Sequence, residues 1–100
     1  MLEADLRDKL AGEIDVALWR DLRTHAARDV VFLVDRSVAL LDAAVALASD
    51  DTGRVAAWIA AGALTRPGAG QLQRWEKHLD KRFDSVIVSP YILATPALDA

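Results

Sequence analysis

The stretch DVVFLVDRSVALLDAAVALASDD, residues 29–51, decides the fold. It is about as long as a membrane span, and most of its interior is apolar. Asp35, Arg36 and Asp42 interrupt it. Each charge near the centre of a span costs roughly 2.5–3.5 kcal/mol, while each Leu, Ile, Phe or Val returns only about 0.3–0.6 kcal/mol. Three charges therefore outweigh the apolar gain, and the run reads as two shorter elements. Val30 to Val34 is β-branched and aromatic, and apolar on both alternating faces, which predicts a buried central strand. Residues 38–49 are rich in Ala and Leu and predict a helix, with Ser37 as its N-cap. Leu40, Leu41, Ala44, Val45, Leu47 and Ala48 form a wide apolar stripe on it. The back holds Ala39, Ala43 and Ala46 around a lone Asp42, so the helix is expected to be covered on two sides.

Outward from this core, residues 2–28 read as helix, broken at Gly12. Ile14, Ala17, Leu18, Leu22 and Ala26 recur at helical spacing, with Trp19 beside them. Asp50-Asp51-Thr52-Gly53 offers capping acceptors for a further helix whose buried side is Val55, Trp58 and Ile59. Gly62 suits the position just past its end, because glycine tolerates the left-handed backbone there. Residues 63–66 are a candidate short strand, and Pro67 to Gly70 a loop. Gln71 to Lys81 reads as helix, with Leu72, Trp75 and Leu79 on one side. Residues 85–95 form a second strand-like run, with a bulge, bend or edge position at Pro90, which has no N–H to give a ladder.

Two strong strands some fifty residues apart, with helices before and between them, predict an α+β domain of small α/β type. Residues 1–100 are read as one domain: a two- to three-stranded sheet packed by about four helices. The segments around Phe32 and Ile87 are expected to lie side by side.

Composition bounds the function classes. The chain has 100 residues, a net charge of −3 and no cysteine, which excludes disulfides and thiolate chemistry. The first residues are acidic and do not lead into an apolar run, so no signal peptide is expected and a cytoplasmic location fits. An acidic total argues against a dedicated nucleic-acid binder. However, residues 54–84 carry six bases and three acids.

The ordered spacings resemble a known family. They are Trp19-x-x-Leu22, Val30 to Val34, Leu40 to Asp50, Val55-x-x-Trp58, Gln71-x-x-x-Trp75, Arg82-Phe83 and Val86-Ile87-Val88-x-Pro90-Tyr91-Ile92-Leu93. Together they are similar to the bacterial domain-of-unknown-function 2288 family along nearly the whole chain. This chain departs from the family pattern at Ala39, where an acid is frequent, and at Ala94-Thr95, where a Gln usually follows. The resemblance implies an uncharacterised bacterial cytosolic protein and supplies no catalytic residues.

No motif carries chemistry outright. Asp21, His25 and Asp29 recur every four residues, as metal ligands on one helix face would. Ion pairing and helix-end capping explain them as well, and no metal is assigned. No Gly-x-Ser-x-Gly turn surrounds a serine. Gly68-Ala69-Gly70 lacks the Lys-Ser/Thr ending of a phosphate loop. No cofactor or catalytic residue follows from these patterns. Trp19, Trp58 and Trp75 sit on or near apolar stripes and read as core, with one of them exposed enough to anchor an interface.

The reading favoured is a non-catalytic protein-interaction domain, self-associating as a homodimer. Its contacts are Ala39, Ala43 and Ala46 for close helix approach and Tyr91 and Leu93 on the terminal strand. The alternative is a nucleic-acid or acidic-partner binder using Arg74, Lys77, His78, Lys81 and Arg82 on one helix face. A third reading is an enzyme whose active site leaves no trace in the sequence.

Overall fold

A computed structural model describes residues 3–97. The elements run α1 (Glu3–Ala11), β1 (Asp15–Leu18), α2 (Trp19–Ala27), β2 (Val31–Val34), α3 (Leu40–Ala48), α4 (Thr52–Ala60), β3 (Leu64–Thr65), α5 (Ala69–Glu76), β4 (Arg82–Val88) and β5 (Tyr91–Pro96). The class is α+β, as expected, but the described residues hold five strands and five helices, more than the sequence predicts. The strands make one sheet in the order β1-β4-β5-β2-β3. β5 and β2 run parallel, and every other neighbouring pair is antiparallel.

β2 is the buried strand foreseen at Val30 to Val34, flanked on both sides. Its side chains alternate between faces, as strand geometry requires. Val34 enters one core and Phe32 packs against it, while Val31 and Leu33 enter another. Helices α1, α3 and α4 cover the first face, and α2 and α5 the second. Both faces of the sheet are thus covered, which explains why β2 and β5 are apolar on both alternations.

Three sequence expectations change. First, residues 15–18 are a strand, not helix. β1 pairs with β4 (Asp15↔Ser85, Leu18↔Arg82), and α2 follows with no intervening loop. The first N–H groups of α2 bond to the 79–81 turn, Trp19 N to Lys81 O at 2.9 Å and Arg20 N to Leu79 O at 3.0 Å. Those contacts satisfy donors that a helix start leaves orphaned. They also hold residues 79–81 as a turn, so α5 stops at Glu76 instead of reaching Lys81.

Second, residues 85–95 are not one strand. They fold into a hairpin, β4 and β5, joined at Ser89-Pro90 with Val88 opposite Tyr91. Pro90 sits in the turn, where no ladder donor is needed. Phe32 therefore pairs with Leu93, and Ile87 lies one strand further away, opposite Ile92.

Third, Ser37 does not cap α3. The N-cap is Ala39, which makes no side-chain bond. Asp35 takes the turn instead, its Oδ2 accepting from Ser37 N at 3.0 Å. Three local expectations stand. Asp51 caps α4 by accepting from Arg54 N at 3.3 Å, Gly62 is left-handed just past that helix, and residues 64–65 form the short strand.

Candidate functional site

α4 is the anomaly of the fold. Its sequence, TGRVAAWIA, contains six apolar residues (Val55 to Ala60) and one charge, yet none of its residues is buried. Val55 and Trp58 are half-buried against the α1/α3 core, so the buried side expected for Val55, Trp58 and Ile59 is only partly realised. Ile59 is 53% exposed. Arg54 lies over the Trp58 ring, 4.9 Å from its centroid, and covers part of it.

Two open hollows flank Ile59. One, of about 180 Å³, is lined by Phe32, Leu47, Val55, Leu64, Tyr91 and Leu93, with Ile59 at its wall. Phe32 and Tyr91 meet edge to face at 5.4 Å, and the Arg66 guanidinium lies 5.2 Å from the Phe32 centroid. The other, also about 180 Å³, shares Leu47, Val55 and Ile59 and runs on past Ala46 to Asp50 and Asp51. α4 and strands β2 and β5 thus frame one apolar groove with Asp50 and Asp51 at one end, and Arg66, paired with Asp29 at 3.3 Å, lies over Phe32 near the other.

The association residues read from sequence divide accordingly. Tyr91 and Leu93 line the first hollow and Ala46 the second. However, β5 is an interior strand, so neither Tyr91 nor Leu93 offers a sheet edge. Ala43 and Ala46 are buried within the chain, because α3 is packed by α1, by α4 and by the sheet. Close approach through these alanines is spent on the chain's own helices, and Asp42 just before them is held by Arg7 at 2.8 Å. Ala39 is exposed at the start of α3, away from the groove lining. The groove residues that sequence reasoning missed are Phe32, Leu47, Val55 and Ile59. For Val55 and Ile59 the signal was the near absence of charge from a nine-residue helix, whereas Phe32 on β2 and Leu47 on α3 read simply as core.

The basic residues do not share one helix face. Arg74 is on α5, Lys77 is its C-cap, His78 and Lys81 lie in the turn, and Arg82 begins β4. The Lys81 ammonium lies 5.8 Å from the Phe83 centroid. Asp29 lies past the end of α2 with a left-handed backbone and pairs with Arg66 at 3.3 Å, off the helical line of Asp21 and His25. Among the described residues no group of three or more His, Cys, Asp or Glu could hold a metal.

A second crevice, about 250 Å³, opens where β2 and β5 end together. It is lined by Asp35, Arg36, Thr65, Gln71 and Thr95, among others. Carboxyl ends of parallel strands are common ligand sites, but these side chains are largely engaged locally. Asp35 accepts from Ser37 N, Arg36 donates to the Pro96 carbonyl, Gln71 accepts from Gly68 N at 2.9 Å, and the Thr95 hydroxyl donates to Val34 O at 3.0 Å. Hydrogen bonding to Ser37 holds the Asp35 carboxyl below the usual aspartate range. The crevice reads as the polar closure of the sheet's end. Gly68-Ala69-Gly70 beside it is a helix start: Gly68 is the N-cap of α5.

Among the described residues no helix is long and apolar enough to cross a membrane. No curated protein matches the chain. The NMR solution structure of PA1075 from Pseudomonas aeruginosa is similar to it, with a TM-score of 0.80 and 31% identity over 96% of this chain and 88% of that one. The sequence model of a protein family of unknown function, DUF2288, matches residues 5–96, so the resemblance in the apolar spacings reflects kinship and the chain belongs to the DUF2288 family.

Proposed function

We propose that this domain works by docking a protein surface into the groove beside α4, and not by catalysis. The observation that carries the reading is α4 itself. Six consecutive apolar residues with no buried member leave apolar surface in water that folding of this chain alone does not cover. Singly exposed apolar residues are ordinary, but Ile59 and Ala56 stand exposed at the rim of preformed apolar hollows, as the anchor of an interaction site does. Ile59 is the anchor, with Val55, Leu47, Phe32 and Tyr91 forming its surroundings. Acidic-partner or nucleic-acid binding has less support, because the basic side chains are dispersed over α5, a turn and β4.

The test is retention from an extract of the cell that makes the protein, on immobilised wild type and on Ile59→Asp. Proteins held by the first and released by the second, this chain itself included, are the expected result. Identical retention on both would sink the docking role.

A further inference from the structure

We infer that the Asp15 carboxylate is a guard on the open edge of the sheet at β1, holding that edge back from strand pairing with another copy of the chain. The described sheet ends in β1 on one side and β3 on the other. An edge strand shows a row of unpaired N–H and C=O groups, which is a template for strand addition. Proteins blunt such edges by shortness, proline or charge. β3 is two residues long, and Pro67 follows it closely. β1 is twice as long and contains no proline, and its Val16 is 57% exposed. Of the two edges, β1 is the one that needs a further device.

The hydrogen bonds supply it. Asp15 lies opposite Ser85 of β4, and its carbonyl accepts from the Ser85 hydroxyl at 3.2 Å, so the Asp15 carbonyl faces into the sheet. In an antiparallel ladder a residue directs its N–H and C=O to the same side, and the next residue directs them to the other. The N–H and C=O of Val16 therefore point outward, where an added strand would lie. That N–H is already taken: it donates to Asp15 Oδ1 at 2.7 Å.

Strand addition would have to exchange this charge-assisted bond for a neutral one, which is the weaker of the two. Pairing of two β1 edges would make that exchange once in each copy. Charge adds to the effect. Glu13 stands two residues before Asp15, and both are exposed, so two such edges bring like charge toward like. The guard is local, because donor and acceptor belong to neighbouring residues. It is in place whenever residues 15 and 16 are extended, and no other part of the fold has to arrive first.

Three proteins are compared by sedimentation velocity: wild type, Asp15→Ala, and Asp15→Ala combined with Val16→Pro. Alanine removes both the acceptor and the charge. Proline at position 16 removes the outward N–H without taking a donor from the β4 ladder, so it closes the edge by other means. Asp15→Ala should associate at least about tenfold more tightly than wild type, and the added proline should restore wild-type behaviour. Association through α4 would be common to all three, so differences among them report on β1. An Asp15→Ala protein that associates no more than wild type overturns the guard. Association that survives the proline overturns it too, because it does not run through this edge. Amide exchange at Val16 is a second measure that does not depend on the proline. Followed by NMR on dilute wild type and Asp15→Ala and expressed relative to the unfolded-chain rate, it should speed up at least about tenfold in the variant. An unchanged rate would mean that the carboxylate does not hold that N–H, and the inference fails.

Discussion

The two faces of the sheet are closed by different means. On the α2/α5 face, three aromatic side chains make the core. The Trp19 and Trp75 centroids are 5.1 Å apart, Trp75 meets Phe83 edge to face at 5.1 Å, and Trp19 lies 6.1 Å from Phe83. One polar atom drawn in there, Trp19 Nε1, donates to Glu76 at 3.0 Å, and Glu76 is paired in turn with Arg23. Large rings bridge the wide gap between a helix and a sheet, so two short helices close this side. On the α1/α3/α4 face the central helix is lined with alanine. Ala43, Ala44 and Ala46 let α3 sit deep between α1 and the strands. Small side chains bring backbones together but fill little volume. The helix next along, α4, is left half in water with its hollows open. The large rings close the middle of their face, though Ile87 at its rim is 63% exposed, and the face closed by alanines leaves α4 half in water.

This contrast can be broken at either face. Trp19→Ala removes the largest fully buried side chain and the anchor of the Glu76 contacts. It should cost about 3–5 kcal/mol, a large part of what a domain of this size commonly possesses, read as a lower urea midpoint. Ala44→Leu tests whether the alanine face depends on small size. Overpacking there should cost about 1–3 kcal/mol, again read in urea, and a neutral result would mean that α3 has room to move. Asp51→Ala removes the cap that starts α4 and should cost about 1 kcal/mol. A loss well below that would show α4 held by its half-buried Val55 and Trp58 alone. Ile59→Asp should move stability by less than about 0.5 kcal/mol, since the side chain contributes little to this chain's own core. A larger loss would make Ile59 a core residue and close the groove.

Much of the interior was legible in the residues. Val31 to Val34 announced a strand covered on both faces, because apolar β-branched and aromatic side chains on both alternations have no other soluble use. The helical character of α3, the Asp51 cap and the glycine just past α4 followed from local chemistry that needs no distant partner, although the α3 stripe is buried only in part, with Ala48 exposed and Ala43 and Ala46 buried instead. β1 was invisible because Ala17 and Leu18 are good helix formers and the strand is only four residues long. Its pairing with β4, some seventy residues on, overrides that preference. The Gln71–Lys81 helix failed for the same kind of reason, its last turn being taken by bonds to the start of α2. Of the groove, Tyr91, Leu93 and Ala46 were named from sequence on grounds of a sheet edge and of close helix approach. The structure sets them in its two hollows for a different reason.

Periodicity and composition by themselves determined which segments are apolar, their α or β character over the long runs and the absence of disulfides, while the kinship rests on the resemblance of the ordered motifs to a family and on the family match. These properties rest on interactions within a few residues, or on counts. Only the tertiary structure decided that the last apolar run folds back as a hairpin, that β2 lies beside β5 and not β4, and that α4 keeps its apolar residues in water. Burial depends on which distant elements arrive to cover a surface, and a stripe of apolar side chains looks the same whether its cover comes from its own chain or from another molecule.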